Sequence, residues 1–402
     1  MTFAADFTSQ DYFRNPAAGI ARLRAAGPVV EVRFPIIGTV WTTTTQALAD
    51  EVLKDSATYS MRRDDGNVAG LQWWMPRLVR TLASSMLAMD EPDHTRLREI
   101  VDEAFRRRAV LAMEPRILAI AGELADELFA EGSPADLIER YARKLPLSVI
   151  CELLGLPLAD RPKFTKWASG FTRFTTVWGF FTLIPNFIAM KRYMEGQLNE
   201  ARRNGGEGLI AEIVRVEKEG RRISGDEMVS MLFLLLFAGH ETTTHLISGS
   251  VHELLKNPEL RDWLEQDWNR TGMAVEEFLR FVTPVQFTKP RFVRKDTLLG
   301  GVALKRGDKV MPMLAAANFD PKVDAHAERL DLERRPNRHI AFGTGIHFCL
   351  GHQLARIEGA CALKALFQRW PKLSLGVDEK EIRWRRRPGL KAIATLPVVA
   401  GV

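Results

Sequence analysis

Cysteine is scarce in this chain, since Cys151, Cys349 and Cys361 are its only cysteines in 402 residues. An odd and sparse set cannot form the disulfide framework of a small secreted protein, and it is typical of a reducing compartment. The sequence therefore predicts a cytoplasmic protein. A cysteine in such a chain is a candidate for chemistry rather than for a disulfide.

Long apolar runs are also lacking. The longest stretch without Asp, Glu, Lys, Arg or His, from Phe174 to Met190, contains threonines, a proline and an asparagine, whereas a membrane-spanning helix needs about 20 mainly apolar residues. The first twenty residues carry Asp6 and Asp11 and show no basic leader followed by an apolar core. We therefore expect a soluble protein without a signal peptide or a membrane span, in which residues 174–190 line a pocket or an interface.

No internal repeat, low-complexity tract or Gly/Ser-rich linker divides the sequence. We therefore predict one domain over residues 1–402, although at roughly 150 residues per domain the length alone would allow two or three. The net charge of +6 is too small to indicate nucleic-acid binding without a dense basic stripe, and it is compatible with an acidic protein partner.

The pattern of apolar residues predicts a mainly α-helical chain with small β-sheets, an α+β arrangement. Strands are expected at about 28–45, at 285–311 and near the C-terminus, and helices at about 91–283 and 351–370. The best-defined helix begins at Ser224, which can form a capping box with Glu227, and ends before Pro258. It would contain roughly 33 residues and be about 50 Å long, enough to form a central rod.

A polar segment, AGHETT at 238–243, interrupts the apolar first half of this helix. Gly239 weakens the helix but would let a flat cofactor approach the backbone, whereas Glu241 and Thr242 would be costly to bury without partners. The residues alone leave two interpretations open: a functional site, or a kinked helix with a satisfied buried carboxylate.

Cys349 lies in a glycine-rich decapeptide, FGTGIHFCLG, at 342–351, which leads into an amphipathic helix. Its glycines allow sharp turns that bring N–H groups toward the sulfur, and these donors together with the helix dipole favour a thiolate. Such a thiolate could be a nucleophile, a zinc ligand or an axial ligand of haem iron. Zinc is the weaker alternative, because only His347 and His352 lie near Cys349 in sequence. A buried cysteine with a purely structural role is the remaining alternative.

Glu277 and Arg280 are one helical turn apart and lie among apolar residues. This placement favours a buried, hydrogen-bonded ion pair that joins neighbouring segments. We interpret the pair as structural rather than catalytic.

Together these motifs resemble those of the cytochrome P-450 family. FGTGIHFCLG matches its cysteine-loop signature, AGHETT resembles its oxygen-activation motif, and Glu277-x-x-Arg280 resembles its helix pair, all in the family's order. HTRLR, PRFVRKD, KRGDKV and AANFDP extend the resemblance over nearly the whole chain, with Phe319 as a departure from the family's usual ANRDP. Because we expect no membrane anchor, the chain is similar to the soluble bacterial members of the family.

The resemblance implies a cytochrome P-450 fold, with a long central helix over haem b and Cys349 as the thiolate ligand of the iron. It also implies that histidines and arginines hold the haem propionates, while small and aromatic residues adjoin the ring. The implied cofactor-binding residues besides Cys349 are His94, Arg98, Arg291, His339, Ala238, Gly239, Phe342, Gly343 and Gly351.

Thr242, with Glu241 beside it, would deliver protons to dioxygen so that one oxygen atom leaves as water. Segments at places equivalent to the family's substrate site are apolar and aromatic, which predicts a hydrophobic substrate such as a terpenoid, fatty acyl, steroid-like or aromatic compound. These positions, for which core packing is the alternative, are Trp73, Trp74, Phe174, Leu234, Phe237, Val285, Phe287 and Ile393.

The implied activity is that of a haem-thiolate monooxygenase that hydroxylates, epoxidises or dealkylates its substrate. No flavin domain, G-x-G-x-x-G fingerprint or ferredoxin cysteine set is recognisable, so we expect electrons from a separate ferredoxin or flavodoxin with its reductase. Arg106, Arg107 and Arg108 could contribute to a basic docking face. The alternatives are a peroxide-driven, coupling or rearranging enzyme with the same haem, and a non-catalytic haem sensor.

Overall fold

The computed structural model describes residues 6–34, 37–63, 68, 85–102, 105–160, 162–164, 167, 184–220 and 223–401. Three of the predicted substrate-pocket positions, Trp73, Trp74 and Phe174, lie outside these described residues.

Helices dominate the described chain. Their bounds are α1 Gln10–Arg14, α2 Pro16–Ala26, α3 Gln46–Lys54, α4 Asp93–Asp102, α5 Arg107–Ala112, α6 Glu114–Glu127, α7 Lys144–Leu154, α8 Ile184–Asn204, α9 Gly208–Lys218, α10 Gly225–Lys256, α11 Pro258–Glu265, α12 Thr271–Val282, α13 Leu314–Asn318 and α14 His352–Arg369. A π-helical turn, Ile138–Ala142, precedes α7.

The strands are short and form small sheets. They are β1 Val29–Phe34, β2 Gly38–Thr43, β3 Tyr59–Ser60, β4 Ala135–Asp136, β5 Arg291–Val293, β6 Thr297–Leu299, β7 Val302–Leu304, β8 Lys309–Val310, β9 Leu373–Leu375 and β10 Pro397–Ala400. The largest sheet has the order β1-β2-β8-β5-β3, a second has β4-β10-β9, and β6 pairs with β7. The predicted fold class, mainly helical with small sheets, is confirmed.

The central helix α10 begins where its sequence predicts. The Ser224 side chain accepts a hydrogen bond from the N–H of Glu227 at 3.2 Å, and the Glu227 carboxylate accepts one from the N–H of Ser224 at 2.7 Å. The helix runs for 32 residues, about 48 Å, to Lys256, and Pro258 follows its C-cap Asn257. It packs against α7, α12 and α14, which places its middle inside the protein.

The polar segment of α10 does not break the helix. The hydroxyls of Thr242, Thr243 and Thr244 each donate to the carbonyl oxygen four residues earlier, at 2.8, 3.2 and 2.8 Å. These bonds satisfy the hydroxyls within the helix, which is continuous from Gly225 to Lys256.

Two stretches within the predicted helical range 91–283 are divided in the structure. α4 ends at Asp102 and α5 begins at Arg107, and the π-helical turn Ile138–Ala142 precedes α7. Pro146 lies in the first turn of α7 and has no N–H to donate to the carbonyl of Ala142, four residues earlier, where the π-helical turn ends.

The Glu277–Arg280 pair lies at the centre of a buried network. The Arg280 guanidinium donates to both Glu277 oxygens at 2.8 and 2.7 Å, and both side chains are at most 3% exposed. Arg334 Nε and Asn337 Nδ2 also donate to Glu277. The remaining Arg280 donors reach carbonyl oxygens of Asn318, Ala327 and Arg329. The pair therefore joins α12 to the chain that leads to the Cys349 segment.

None of the helices in the described part of the chain combines the length and the apolar character that crossing a bilayer requires.

Candidate functional site

A cavity of about 380 Å³ lies between α10 and the cysteine loop, defined here as residues 342–351. Aliphatic and aromatic side chains form most of its wall. The residues of α10 that line it are Leu234, Leu235, Ala238, Gly239, Thr242, Thr243 and Leu246, and those of the cysteine loop are Phe342, Gly343, Thr344, His347, Phe348, Cys349, Leu350 and Gly351.

The backbone of the cysteine loop requires glycine at two positions. Gly343 and Gly345 have φ angles of +68° and +72°, in the left-handed region that side chains with a Cβ disfavour. A Cβ at Gly345 would lie 2.2 Å from the carbonyl oxygen of Leu53 at the end of α3. The loop is closed by a hydrogen bond of 3.0 Å from the N–H of Cys349 to the carbonyl of Phe342, so the thiol is presented from a fixed turn.

The Cys349 thiol faces the cavity from this turn. Burial raises its pKa, while the N–H of Gly351 and the charges of Arg98 and Arg356 act in the opposite direction. A bound cation would favour the thiolate, because a metal ion deprotonates a coordinating thiol. Burial therefore favours the neutral thiol, and a coordinated metal ion would favour the thiolate.

The other two chemistries considered for Cys349 lack their partners. Within the described residues, no group of three His, Cys, Asp or Glu side chains could hold a metal ion, which removes the zinc alternative. No histidine in the same part of the chain shares a hydrogen bond with the Cys349 sulfur, as a nucleophile would require. Cys361, by contrast, is buried on α14 and directs its sulfur to the carbonyl of Glu114 at 3.9 Å.

One end of the cavity is cationic. His94, Arg98, Arg291 and His347 all line it, and the rings of the two histidines are 4.4 Å apart. Burial lowers the pKa of His94, lowers that of His347 to about 3 and lowers that of Arg291 to about 10.

Three buried atoms at this end lack a hydrogen-bond partner among the described residues: His94 Nδ1, His347 Nε2 and Arg291 Nε. Buried polar atoms are normally hydrogen-bonded, so each of these implies a group that the protein chain does not supply. Arginine and histidine beside a thiol fit a flat cofactor that carries carboxylates. The residues present therefore fit haem b, with its two propionates at this end.

His339, predicted from the sequence as a propionate ligand, is not part of the cavity wall. Its Nε2 lies 3.0 Å from Glu276 Oε2, and its Nδ1 accepts a hydrogen bond of 3.2 Å from the N–H of Ala341. Glu276 is in turn held by Arg356. The histidine at the cationic end is His347, which our sequence analysis did not assign to the propionates. The signal that could have found it is its position two residues before Cys349, inside the glycine-rich turn.

Glu241 and Thr242 are adjacent in sequence but lie on different faces of α10. Thr242 lines the cavity and donates its hydroxyl to the carbonyl of Ala238 at 2.8 Å. Glu241 is not among the lining residues, because its carboxylate is paired with Arg387. A Cβ on Gly239 would lie 3.3 Å from the Ile150 side chain, so this glycine allows α7 and α10 to approach beside the cavity.

The predicted substrate positions divide in the same way. Leu234, Val285 and Phe287 line the cavity, whereas Phe237 and Ile393 do not. Phe237 lies on an adjacent face of α10, because the lining positions recur every three to four residues, and its ring stacks 4.5 Å from that of Phe233. Ile393 lines a separate cavity of about 10 Å³.

Sequence analysis missed two charged side chains in the cavity wall, Lys289 and Glu358. Glu358 on α14 is 1% exposed, hydrogen-bonds to Thr243, and has its pKa raised to about 8 by burial. Lys289 lies in the segment between α12 and β5. Neither belongs to a motif, so only the fold brings them to the cavity.

The fold and this site define a haem-thiolate protein, and comparisons with known proteins identify its family. Residues 172–383 match the family model described as Cytochrome P450. The chain is 36% identical over 411 residues to vitamin D(3) 25-hydroxylase of Pseudonocardia autotrophica, covering 98% of this chain and 96% of that protein. It is 36% identical over 390 residues to mycinamicin IV hydroxylase/epoxidase of Micromonospora griseorubida, covering 95% of each.

The solved structures agree. The myxobacterial cytochrome P450 CYP267B1 in complex with myristic acid superposes with a TM-score of 0.90 at 35% identity, over 98% of this chain and 99% of that one. This chain belongs to the cytochrome P450 family. It is a haem-thiolate monooxygenase that acts on small organic substrates, and bacterial members of the family generally use a redox partner.

Proposed function

We propose that Cys349 is the axial ligand through which this monooxygenase binds haem b. The supporting observation is that its thiol faces the cavity from a rigid glycine turn, opposite α10. The sulfur charge would be stabilised by the Gly351 N–H and by Arg98. When bound, the haem supplies the iron at which dioxygen is reduced and one oxygen atom is transferred to the substrate.

We propose that His94, Arg98, Arg291 and His347 hold the two haem carboxylates. The unpartnered atoms His94 Nδ1, His347 Nε2 and Arg291 Nε support this assignment, since each would gain a charge-assisted hydrogen bond. This set replaces His339 of the sequence prediction with His347. The negative charges of the propionates would also compensate the positive charges at the cationic end.

Thr242, on the cavity wall opposite the cysteine loop, would take part in proton transfer. Its single hydroxyl proton is donated to Ala238 O, so its oxygen lone pairs can accept a hydrogen bond from a water molecule in the cavity. Glu241 is the nearest carboxylate on α10, and it would deliver a proton to this wall only after Arg387 releases it.

The substrate that this geometry favours is a hydrophobic small organic molecule. Leu234, Val285 and Phe287 offer it apolar contacts and no hydrogen bonds. The similar CYP267B1 was solved with myristic acid, and the similar mycinamicin IV hydroxylase/epoxidase is named for its substrate. Both names support an elongated or bulky apolar substrate over a small polar one.

For electron supply we propose a ferredoxin or flavodoxin with its reductase, in the cytoplasm. Arg106, Arg107 and Arg108 are exposed at the start of α5, which packs against α14, the helix that follows the cysteine loop. A basic patch so close to the cysteine loop is suited to an acidic partner, and its association rate should fall with ionic strength. Three free thiols support a reducing compartment.

The experiment that tests the proposal is the absorption spectrum of the dithionite-reduced, CO-bound protein. The wild type should show a strongly red-shifted Soret band, Cys349→Ser should lose it, and Cys361→Ala, a control at a buried cysteine outside the cavity, should keep it. A red-shifted band that survives in Cys349→Ser, or none in folded wild-type protein, would overturn the assignment.

A second measurement separates dioxygen chemistry from peroxide chemistry. Substrate-dependent NADH consumption with ferredoxin and its reductase should exceed turnover driven by hydrogen peroxide. The reverse order would favour the peroxide-driven alternative.

A further inference from the structure

Lys289 is a cation in the cavity wall that no feature of the proposed function uses. Phe287, Lys289 and Arg291 occupy alternate positions in the chain where it enters β5. All three line the cavity. Lys289 therefore stands between an apolar substrate-facing position and a position of the cationic end.

The Lys289 side chain is exposed, and its ammonium has no hydrogen bond or ion pair to any described residue. The protein packed around the ammonium lowers its pKa to about 8. An accessible side chain with a lowered pKa fits a lysine that faces the cavity it lines. At pH 7 it is still mostly protonated, so it presents a positive charge to whatever occupies the cavity.

Lys289 is the cation of the described wall that no acidic side chain faces. The described wall contains three cationic side chains, Arg98, Arg291 and Lys289, and one acid, Glu358, whose pKa of about 8 keeps it mostly neutral at pH 7. Arg98 lies 3.4 Å from Asp102, and the charge of Asp90 acts on Arg291, whereas only desolvation acts on the pKa of Lys289. The Lys289 charge therefore has no counter-charge among the described residues.

The two arginines also have backbone partners that orient them. Arg98 donates to the carbonyl of Phe348 at 2.6 Å, and Arg291 reaches the carbonyl of Tyr59 at 3.4 Å. Lys289 has no such partner among the described residues, and it lies two positions from Phe287 and two from Arg291.

We infer that Lys289 binds an anionic group of the substrate, so that the substrate class is an apolar molecule with one carboxylate or a similar acid. The apolar body would lie against Leu234, Val285 and Phe287. This inference rests on the proposed function, since it assigns the substrate end of the same cavity. The ammonium would form a charge-assisted hydrogen bond in a water-poor wall, where such bonds are strong.

The test compares two probes of equal chain length, dodecanoate and dodecan-1-ol, on haem-loaded protein at pH 7. Dissociation constants are measured by calorimetry and by the spin-state change of the haem. The variants are Lys289→Met, Lys289→Gln as a second neutral variant, Lys289→Arg, and Lys322→Met as a control at an exposed lysine outside the cavity wall.

The wild type and Lys322→Met should bind dodecanoate more tightly than dodecan-1-ol. Either neutral variant should weaken dodecanoate binding about tenfold and leave dodecan-1-ol binding unchanged, and Lys289→Arg should restore most of the preference. A neutral variant that weakens both probes equally, or neither, would overturn the inference.

Two further measurements distinguish a carboxylate of the substrate from a propionate of the haem. If the neutral variants lose haem while their preference for dodecanoate stays as in wild type, Lys289 binds a propionate, and the inference is wrong. The CO spectrum is recorded on the same samples. An absent red-shifted band in wild type would contradict the proposed haem ligation, whereas a normal band without a carboxylate preference would contradict only the role of Lys289.

Discussion

Arg387 Nη1 holds the carboxylate of Glu241, although the two residues lie 146 positions apart in the chain. Burial alone would raise the pKa of Glu241, but the charge of Arg387 and, more weakly, that of His245 lower it below its usual value. The Glu241 side chain is 18% exposed and that of Arg387 34%. The carboxylate beside Thr242 is therefore ionised and engaged outside the cavity wall.

Replacing Arg387 by Met should leave Glu241 buried without its partner. The free energy of unfolding should fall by about 1–2 kcal/mol at pH 7, discounted for the partial exposure of the pair. The pKa of Glu241 in the folded variant should then rise above its value in the unfolded chain. A group whose pKa is raised by folding lowers the free energy of unfolding as the pH increases. The loss should therefore be larger at pH 7 than at pH 5, as measured by thermal unfolding of the haem-loaded protein.

Arg386→Met is the matched control, since Arg386 is the exposed neighbour; it should change stability by less than about 0.5 kcal/mol. In a double-mutant cycle, Glu241→Gln combined with Arg387→Met should cost less than the two single changes together. Equal losses for the two arginine variants, or additive losses in the cycle, would contradict a specific pair.

His347→Ala and His339→Ala should separate haem retention from stability. The first removes a buried donor at the cationic end, so transfer of haem to apomyoglobin should become about five- to tenfold faster. The second removes one partner of Glu276, which keeps Arg356; it should cost about 1 kcal/mol of stability and leave haem transfer as in wild type. Faster haem loss from His339→Ala alone would restore the prediction made from the sequence.

The sequence was sufficient wherever the signal is local. The capping box between Ser224 and Glu227 predicts the start of α10, Pro258 predicts its end, and the glycine turn around Cys349 follows from residues within ten positions. Short-range hydrogen bonds and backbone preferences decide these features, and both can be inferred from neighbouring residues.

Features that depend on distant segments were missed or misplaced. Nothing near Glu241 indicates Arg387, and nothing near His339 indicates that Glu276 holds it away from the cavity. Phe237 was assigned to the pocket because its segment is equivalent to the family's substrate site, but the helical period turns it toward Phe233. Charge pairing over long sequence separations and the exact face of a buried helix are properties of the packed structure.

The Glu277 network should be the most costly to disturb. Glu277 is fully buried and accepts hydrogen bonds from Arg280, Arg334 and Asn337. Glu277→Gln keeps the shape but removes the negative charge, which leaves two buried guanidinium groups undercompensated and should cost about 3 kcal/mol or more. Chemical denaturation of the haem-loaded protein measures this loss.

The control for that change is Glu265→Gln, which removes the carboxylate of a partly exposed i, i+4 pair with Arg261. It should cost no more than about 0.5 kcal/mol. If the two glutamine variants lost similar stability, the Glu277 network would not be the anchor that its geometry indicates.

Glu276 predicts how stability responds to acid. Burial acts to raise its pKa, but hydrogen bonds from His339 and Arg356 outweigh burial and lower the pKa from 4.5 to about 2. A group with a lowered folded-state pKa stabilises the protein above its unfolded pKa, and this contribution is lost as the pH falls from about 4.5 toward 2. Between pH 5 and pH 3.5, wild type should therefore lose about 1 kcal/mol more than Glu276→Gln, which has no such carboxyl group to protonate. Unfolding measured at several pH values in that range checks the difference, and parallel losses in the two proteins would show that Glu276 does not contribute to acid sensitivity.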